Sequence, residues 1–217
     1  MTSVKLISHT VGCGELEGLE ADDLIAFTAR VSNPANQMNT ETAPRLLKYL
    51  KTHAHWSPFE MSSACIEITT SRGIAAQILR HRSCSFQEFS QRYAEAMDVI
   101  YYPARRQDQK NRQNSVDDMS EEDKQWFLDA QKKVWEFSFG LYKEALQKGI
   151  AKEQSRFLLP LNTQTKLYMS GNFRSWAHYI ELRSSPSTQL EHREIAIGCK
   201  NIFIEHFPDF AKAMEWC

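Results

Sequence analysis

The 217-residue chain has no run of 18 apolar residues, so nothing in it reads as a membrane-spanning helix. Met1 to Gly12 lacks the apolar stretch of a signal peptide. Cysteine is sparse and unpatterned. Cys13, Cys65, Cys84, Cys199 and Cys217 are far apart, odd in number and form no CxxC pair, which argues against a disulfide framework and for reduced thiols in a cytoplasm-like compartment. Charge of one sign is also missing. With 26 Lys and Arg against 27 Asp and Glu, the net charge is −1, without the basic excess of a protein that coats a nucleic-acid polymer. A dinucleotide fingerprint is absent: Gly12-x-Gly14 is followed by Gly18, one place late, with Glu17 where Gly or Ala is needed. No P-loop, internal repeat or low-complexity linker occurs.

What remains is an ordinary globular composition, 42% hydrophobic and 24% charged. Hydrophobic spacing predicts strands at residues 4–10, 63–70 and 163–169, and an extended stretch over 90–100. It predicts helices at 21–31, 42–53, 72–82, 151–159, 172–183 and 188–207. A longer helix follows the cap Ser120-x-x-Asp123, with Phe127, Ala130, Val134, Phe137, Leu141 and Ala145 as its apolar stripe and Lys148-Gly149 as its stop. The polar stretch 105–118 reads as a surface loop or a mobile lid. The expectation is one α+β domain over residues 1–217, with a mixed or antiparallel sheet flanked by long helices.

Three polar clusters carry candidate chemistry. In the first, Gln77, Arg80 and His81 are placed by helical spacing on one face, with Arg82 beside them. Such adjacent cations suit an anion, because a guanidinium offers a planar fork of donors. If residues 88–93 are extended, Glu88, Ser90 and Arg92 point one way and Phe89, Gln91 and Tyr93 the other. That face could hold a phosphate and read the polar edge of a base; it could equally be a solvated charge patch. In the second, His53-x-His55 precedes Ser57-Pro58-Phe59-Glu60, where a metal site is only weakly suggested because no third ligand lies at a characteristic interval. The same residues fit a helix C-terminus and turn, or a polar pocket wall. In the third, Arg174 and His178 share a helix face while Arg183 lies about half a turn away, so the helix carries basic groups on opposite sides, with Arg156 and Asn172 nearby in the pattern. Two other readings compete. One is a single-stranded RNA module using Arg80, Arg82 and Arg92 with Phe86, Phe89 and Tyr93, and the other a metal-dependent hydrolase on His53, His55 and His81.

Arg80-His81-Arg82 followed after seven residues by Ser90 resembles the signature of the flavin-dependent thymidylate synthases. The similarity extends to His55-x-Ser57-Pro58-Phe59-Glu60, Arg92-Tyr93, Arg156 with Leu159-Pro160-Leu161-Asn162, Asn172-x-Arg174 and Leu182-Arg183, spanning about residues 30 to 185. The extended form Phe86 to Tyr93 is most similar to members from large viruses and some bacteria. The resemblance implies a homotetramer with active sites shared between subunits, bound FAD reduced by NADPH, 5,10-methylenetetrahydrofolate as carbon donor and dUMP as acceptor. It implies a cytoplasmic setting, the host's if the chain is viral. By the same resemblance Ser32, His55, Ser57, Glu60, Arg80, His81, Arg82, Glu88, Asn172, Arg174 and His178 contact FAD. Gln77, Arg80, Glu88, Ser90, Gln91, Arg92, Arg156 and Arg183 contact dUMP, with no metal. Three positions depart from the common pattern: His178 where Asn is frequent, Gln87 for Asn, and Gln91 for Gly. Arg183 is the expected polariser of the pyrimidine, Ser90 a binding hydroxyl rather than a nucleophile, and Cys84 a small loop residue.

Overall fold

A computed structural model describes residues 2–217. Four strands, β1 (Ser3–His9), β2 (Ser63–Ser71), β3 (Ser85–Glu88) and β6 (Gln164–Asn172), form one antiparallel sheet in the order β1-β2-β6-β3. The two central strands pair along their full length, from Ser63 opposite Asn172 to Ser71 opposite Gln164. Side chains alternate as the two-residue period requires: Ala64, Ile66, Ile68 and Thr70 of β2 are buried, as are Thr165, Leu167 and Met169 of β6. The opposite sheet face is polar, with Lys166 Nζ 3.3 Å from Glu67.

Helices α1 (Ala21–Ala29), α2 (Ala43–Thr52), α6 (Phe173–Arg183), α7 (Leu190–His206) and α8 (Pro208–Ala213) bury an apolar cluster with that face. Its aromatic centre is Phe59, Phe173, Trp176, Phe203 and Phe210, whose rings meet mostly edge to face. Gly198 lets α7 lie close on β1, since a Cβ there would come within 2.8 Å of Val4. Short polar side chains start the site-bearing helices. Ser71 caps α3 (Arg72–Ile78) by accepting from Ile74 N–H, and Asn172 caps α6 by accepting from Ser175 N–H at 2.9 Å.

Helix α4 (Glu121–Gln147) begins at Ser120, whose Oγ accepts from Asp123 N–H at 3.1 Å, with three acids in its first turn. It ends at Gly149, whose φ of +80° turns the chain so that Ile150 N–H bonds Ala145 O. Its predicted stripe is only partly a core face. Of its positions only Ala145 is buried, whereas Phe137 is 72% exposed and Val134 52%; the buried Trp135 and Tyr142 lie off the predicted stripe, and Trp126 is 69% exposed.

Several boundaries differ from expectation. Residues 90–100 are not a strand: Tyr93 N–H and Ala94 N–H both bond Ser90 O, which makes a turn, and only Val99 bridges to Thr163. The proposed common face of Glu88, Ser90 and Arg92 therefore does not exist, because β3 stops at Glu88. Helix α3 ends at Ile78, so Arg80 and His81 lie beyond it and do not share a helix face with Gln77. The predicted helix at 151–159 is one turn, α5 (Lys152–Ser155), then a 3₁₀ turn over Arg156–Leu158, closed by Pro160. Within 105–118 a hairpin forms from β4 (Arg106–Gln107) and β5 (Ser115–Val116), leaving a loop between them. No helix among the described residues is long and apolar enough to cross a membrane.

Candidate active site

A cleft of about 590 Å³ opens between the start of α6 and the turn Ser57–Glu60. Glu60, Asn172, Arg174 and His178 line it, together with Trp56, Ser83, Ser175 and Glu181. Arg174, His178 and Glu181 recur at four and three residues, so one face of α6 forms a wall. Arg174 Nη1 donates to Glu60 Oε1 at 2.5 Å, which fixes the guanidinium across the cleft. Asn172 uses its oxygen to cap α6, which leaves its NH₂ as a donor. Ser175 Oγ donates to Ser83 O at 3.0 Å and ties the segment after His81 to α6.

Arg183 lies on another side of α6 and donates through Nε to His81 Nε2 at 2.8 Å. His81 is buried, edge-on to Tyr179, and His192 of α7 packs near it with ring centroids 6.2 Å apart. Burial first, then Arg183 and His178, lowers the His81 pKa to about 4. Burial first, then Arg183 and His81, lowers His192 to about 3. Both rings are therefore neutral at pH 7, and the predicted crowd of cations at residues 80–82 is not one: His81 is buried and uncharged, while Arg80 and Arg82 are exposed.

A third region collects the other guanidinium groups. Arg92 Nε donates to Glu153 Oε2 at 3.3 Å, and Arg156 Nε to Glu153 O at 3.2 Å, so two arginines far apart in sequence meet on α5. Arg156 and Gln91 line a cleft of about 280 Å³ with Arg72, Phe157, Leu159, Pro160 and Leu161. Gln91 Nε2 is buried there without a hydrogen-bond partner. Beside it, sharing Leu161, a cavity of about 310 Å³ is lined by Gln77, Gln189, Tyr102 and Ser71. Glu88 Oε1 accepts from Arg72 Nη1 at 2.6 Å and from Thr165 Oγ1 at 2.9 Å. Ser90 Oγ accepts from Arg92 N–H within its turn, at 3.4 Å.

The remaining candidates stay apart. Ser32 and His55 are exposed, and Ser57 lines a separate cavity with Phe27, Val31 and Met61. His53 Nδ1 lies 2.9 Å from Tyr49 O, and Ala54 (φ 55°) turns the chain, so this pair ends a helix. Among the described residues no three His, Cys, Asp or Glu side chains gather as metal ligands. Phe86 packs against the core, so it cannot complete a three-ring platform with Phe89 and Tyr93. Cys84 is half-buried, and burial pushes its thiol up to about 11, away from nucleophilic character. The sequence reading missed Arg72, Trp56, Ser175, Glu181 and His192. Trp56 and Ser175 adjoin recognised motifs, whereas His192, far down the chain, carried no local signal.

Comparison with known proteins places these features in a family. The family model described as thymidylate synthase complementing protein matches residues 5–209. A probable flavin-dependent thymidylate synthase of Paramecium bursaria Chlorella virus 1 is 56% identical over 216 residues, 99% of each chain. A flavin-dependent thymidylate synthase of Synechocystis is 56% identical over 200 residues, 92% of each chain. Among solved structures, a UMP/dUMP methylase from Streptomyces cacaoi bound with 5-Br UMP superposes with a TM-score of 0.83 at 25% identity, covering 100% of this chain and 94% of that one.

Proposed function

The chain belongs to the thymidylate synthase complementing protein family, that of the flavin-dependent thymidylate synthases, and from this premise we propose how its residues divide the work of converting dUMP to dTMP. The carrying observation is that Glu60 converges on one cleft with Asn172, Arg174 and His178, which lie more than a hundred residues further along the chain. Its chemistry fits a flavin nucleotide: a guanidinium, an imidazole and an amide as donors, and the indole of Trp56 as an apolar surface. Its volume of about 590 Å³ lies within the usual range of cofactor sites, about 300–1,000 Å³. Glu60, Asn172, Arg174 and His178 would hold FAD there, and the flavin, reduced by NADPH, would supply the hydride, so that 5,10-methylenetetrahydrofolate would give up only its carbon and be released as tetrahydrofolate.

The protein's own part is binding and electrostatics. Arg156 and Arg92, gathered on α5, hold the dUMP phosphate, and the buried Gln91 amide is a donor waiting for an acceptor in the same cleft. The uracil lies towards the adjoining cavity that Gln77 lines. C5 of uracil is a poor nucleophile until the ring gains electron density. Arg183 beside two neutral histidines is a fixed cation in a sparsely hydrated surround, suited to stabilise negative charge as the N3 proton is lost. Ser90, whose hydroxyl serves a turn and has no base beside it, binds rather than attacks.

The flavin cleft and the nucleotide cleft do not merge within one chain, which supports sites completed between subunits of a homotetramer. The exposed Phe137, Val134 and Trp126 of α4 offer an apolar face for such contacts. The purified protein should be yellow, or become so with added FAD, and anaerobic NADPH should bleach it. A colourless protein that gains no flavin absorbance with FAD contradicts this reading.

A further inference from the structure

Gln77 is held from two sides. Its Nε2 donates to Gln189 Oε1 at 2.6 Å, and its Oε1 faces His192 Nδ1 at 3.4 Å. Gln189 Nε2 donates onward to Glu191 Oε2 at 2.9 Å. Glu191 Oε1 accepts from Arg105 Nη2 at 2.5 Å, and Arg105 Nε donates to Ser115 Oγ of the hairpin at 2.9 Å. None of Arg105, Gln189 and Glu191 has a part in the chemistry set out above. The Arg105 and Glu191 side chains are only 11% and 7% exposed. A buried ion pair is a poor way to gain stability, because desolvation offsets the attraction, so its presence calls for another purpose.

The purpose lies in direction. A glutamine amide has a donor end and an acceptor end of nearly equal shape, and it can flip. An ionised carboxylate only accepts. Glu191, fixed by Arg105, therefore turns the Gln189 NH₂ towards itself and the Gln189 oxygen towards Gln77. That oxygen in turn draws the Gln77 NH₂ and sends the Gln77 oxygen to His192, which is neutral and carries its proton on Nδ1 in this arrangement. One group that cannot flip sets the polarity of two that can.

We propose that Glu191, acting through Gln189, is a positioning residue that fixes the direction of the Gln77 carboxamide and so makes the pyrimidine site read uracil rather than cytosine. The inference rests on the placement of dUMP beside Gln77 given above. Uracil presents a C4 carbonyl acceptor next to an N3–H donor; cytosine presents a C4 amino donor next to an N3 acceptor. The two patterns are opposite, so an amide locked in one direction matches one base and opposes the other.

Glu191→Gln makes the sharpest test. Its oxygen would stay with Arg105 and its NH₂ would face Gln189, reversing the relay. Gln189→Met, at an exposed position, cuts the relay with little change of shape. The affinities of dUMP and dCMP are measured by calorimetry on the FAD-loaded protein, with flavin content and melting temperature recorded for each variant. Both variants should lower the preference for dUMP over dCMP at least tenfold, with part of the change a gain in dCMP affinity. A purely structural role would weaken both nucleotides in proportion. An unchanged ratio in both variants, while Gln77→Met weakens dUMP, overturns the relay alone. If Gln77→Met leaves dUMP affinity unchanged, the placement of the nucleotide fails and the inference with it.

Discussion

Arg183 and Cys84 separate two views of the chemistry. Arg183 lies against His81, and burial holds His81 and His192 neutral, so its field is not shared with other cations in that group. Cys84 is a half-buried thiol raised to about 11 and thus protonated at pH 7. Arg183→Ala should lower dTMP formation by about a hundredfold or more, the scale seen when one preorganised charge-stabilising donor is removed, with flavin retained. Cys84→Ala should keep most activity. Steady-state turnover of the two variants, normalised to bound flavin, checks this, and near-total loss in Cys84→Ala would move the chemistry to the thiol. At this scale the sequence was readable wherever residue type and motif sufficed, as for Arg174 and Glu60. It was not readable for His192 or Arg72, whose roles exist only because β2, β6 and α7 bring them to partners more than a dozen residues away.

Among elements, the α1–α8 contact gives a pH signature. Asp22 of α1 is buried and accepts from Asp209 N–H of α8 at 3.0 Å, while its other oxygen has no partner. Burial, partly offset by backbone N–H groups of Phe210 and Asp209, raises its pKa to about 7 from an ordinary 3.8. A raised acid binds its proton more tightly in the folded state, so its contribution is complete below about 3.8 and lost as pH rises through about 7. His81 and His192 act in the opposite sense. Their depressed values make the folded state reject protons, so their contribution is full above 6.5 and declines as pH falls towards about 4 and about 3. The melting temperature of the protein should therefore fall on both sides of mildly acidic pH. Asp22→Asn should remove the loss of stability that accumulates between about pH 4 and 7, steepening the acid limb and flattening the upper one by a few degrees, at roughly 2–4 °C per kcal/mol for this size. Thermal melts across pH check it, and an unaltered upper limb in Asp22→Asn would contradict it.

The elements themselves were legible from period and caps, and α2, β2, α4 and α6 fall close to their expected bounds. The failures have physical causes. Residues 90–100 have no two-residue period that would hold a strand, and the backbone donors of Tyr93 and Ala94 turn back to Ser90. Helix α3 stops at Ile78 because the following residues must place His81 under Tyr179, a tertiary demand that helical spacing does not record.

At the scale of the whole molecule, the apolar stripe that periodicity gives α4 is left largely in water by a single chain. In the proposed homotetramer, this is the face that meets another subunit. Phe137→Glu should shift sedimentation to smaller species and lower activity at least tenfold, while leaving the melting of the separated subunit nearly unaltered. A variant that still assembles and turns over like the parent would remove α4 from the interface.

The central claim concerns the source of the reducing electrons. The FAD-loaded protein is mixed anaerobically with dUMP, 5,10-methylenetetrahydrofolate and NADPH, and nucleotide, folate and NADPH are quantified together. One NADPH oxidised and one tetrahydrofolate released per dTMP formed is the expected result. Formation of dTMP without NADPH, with dihydrofolate as the folate product, would contradict it.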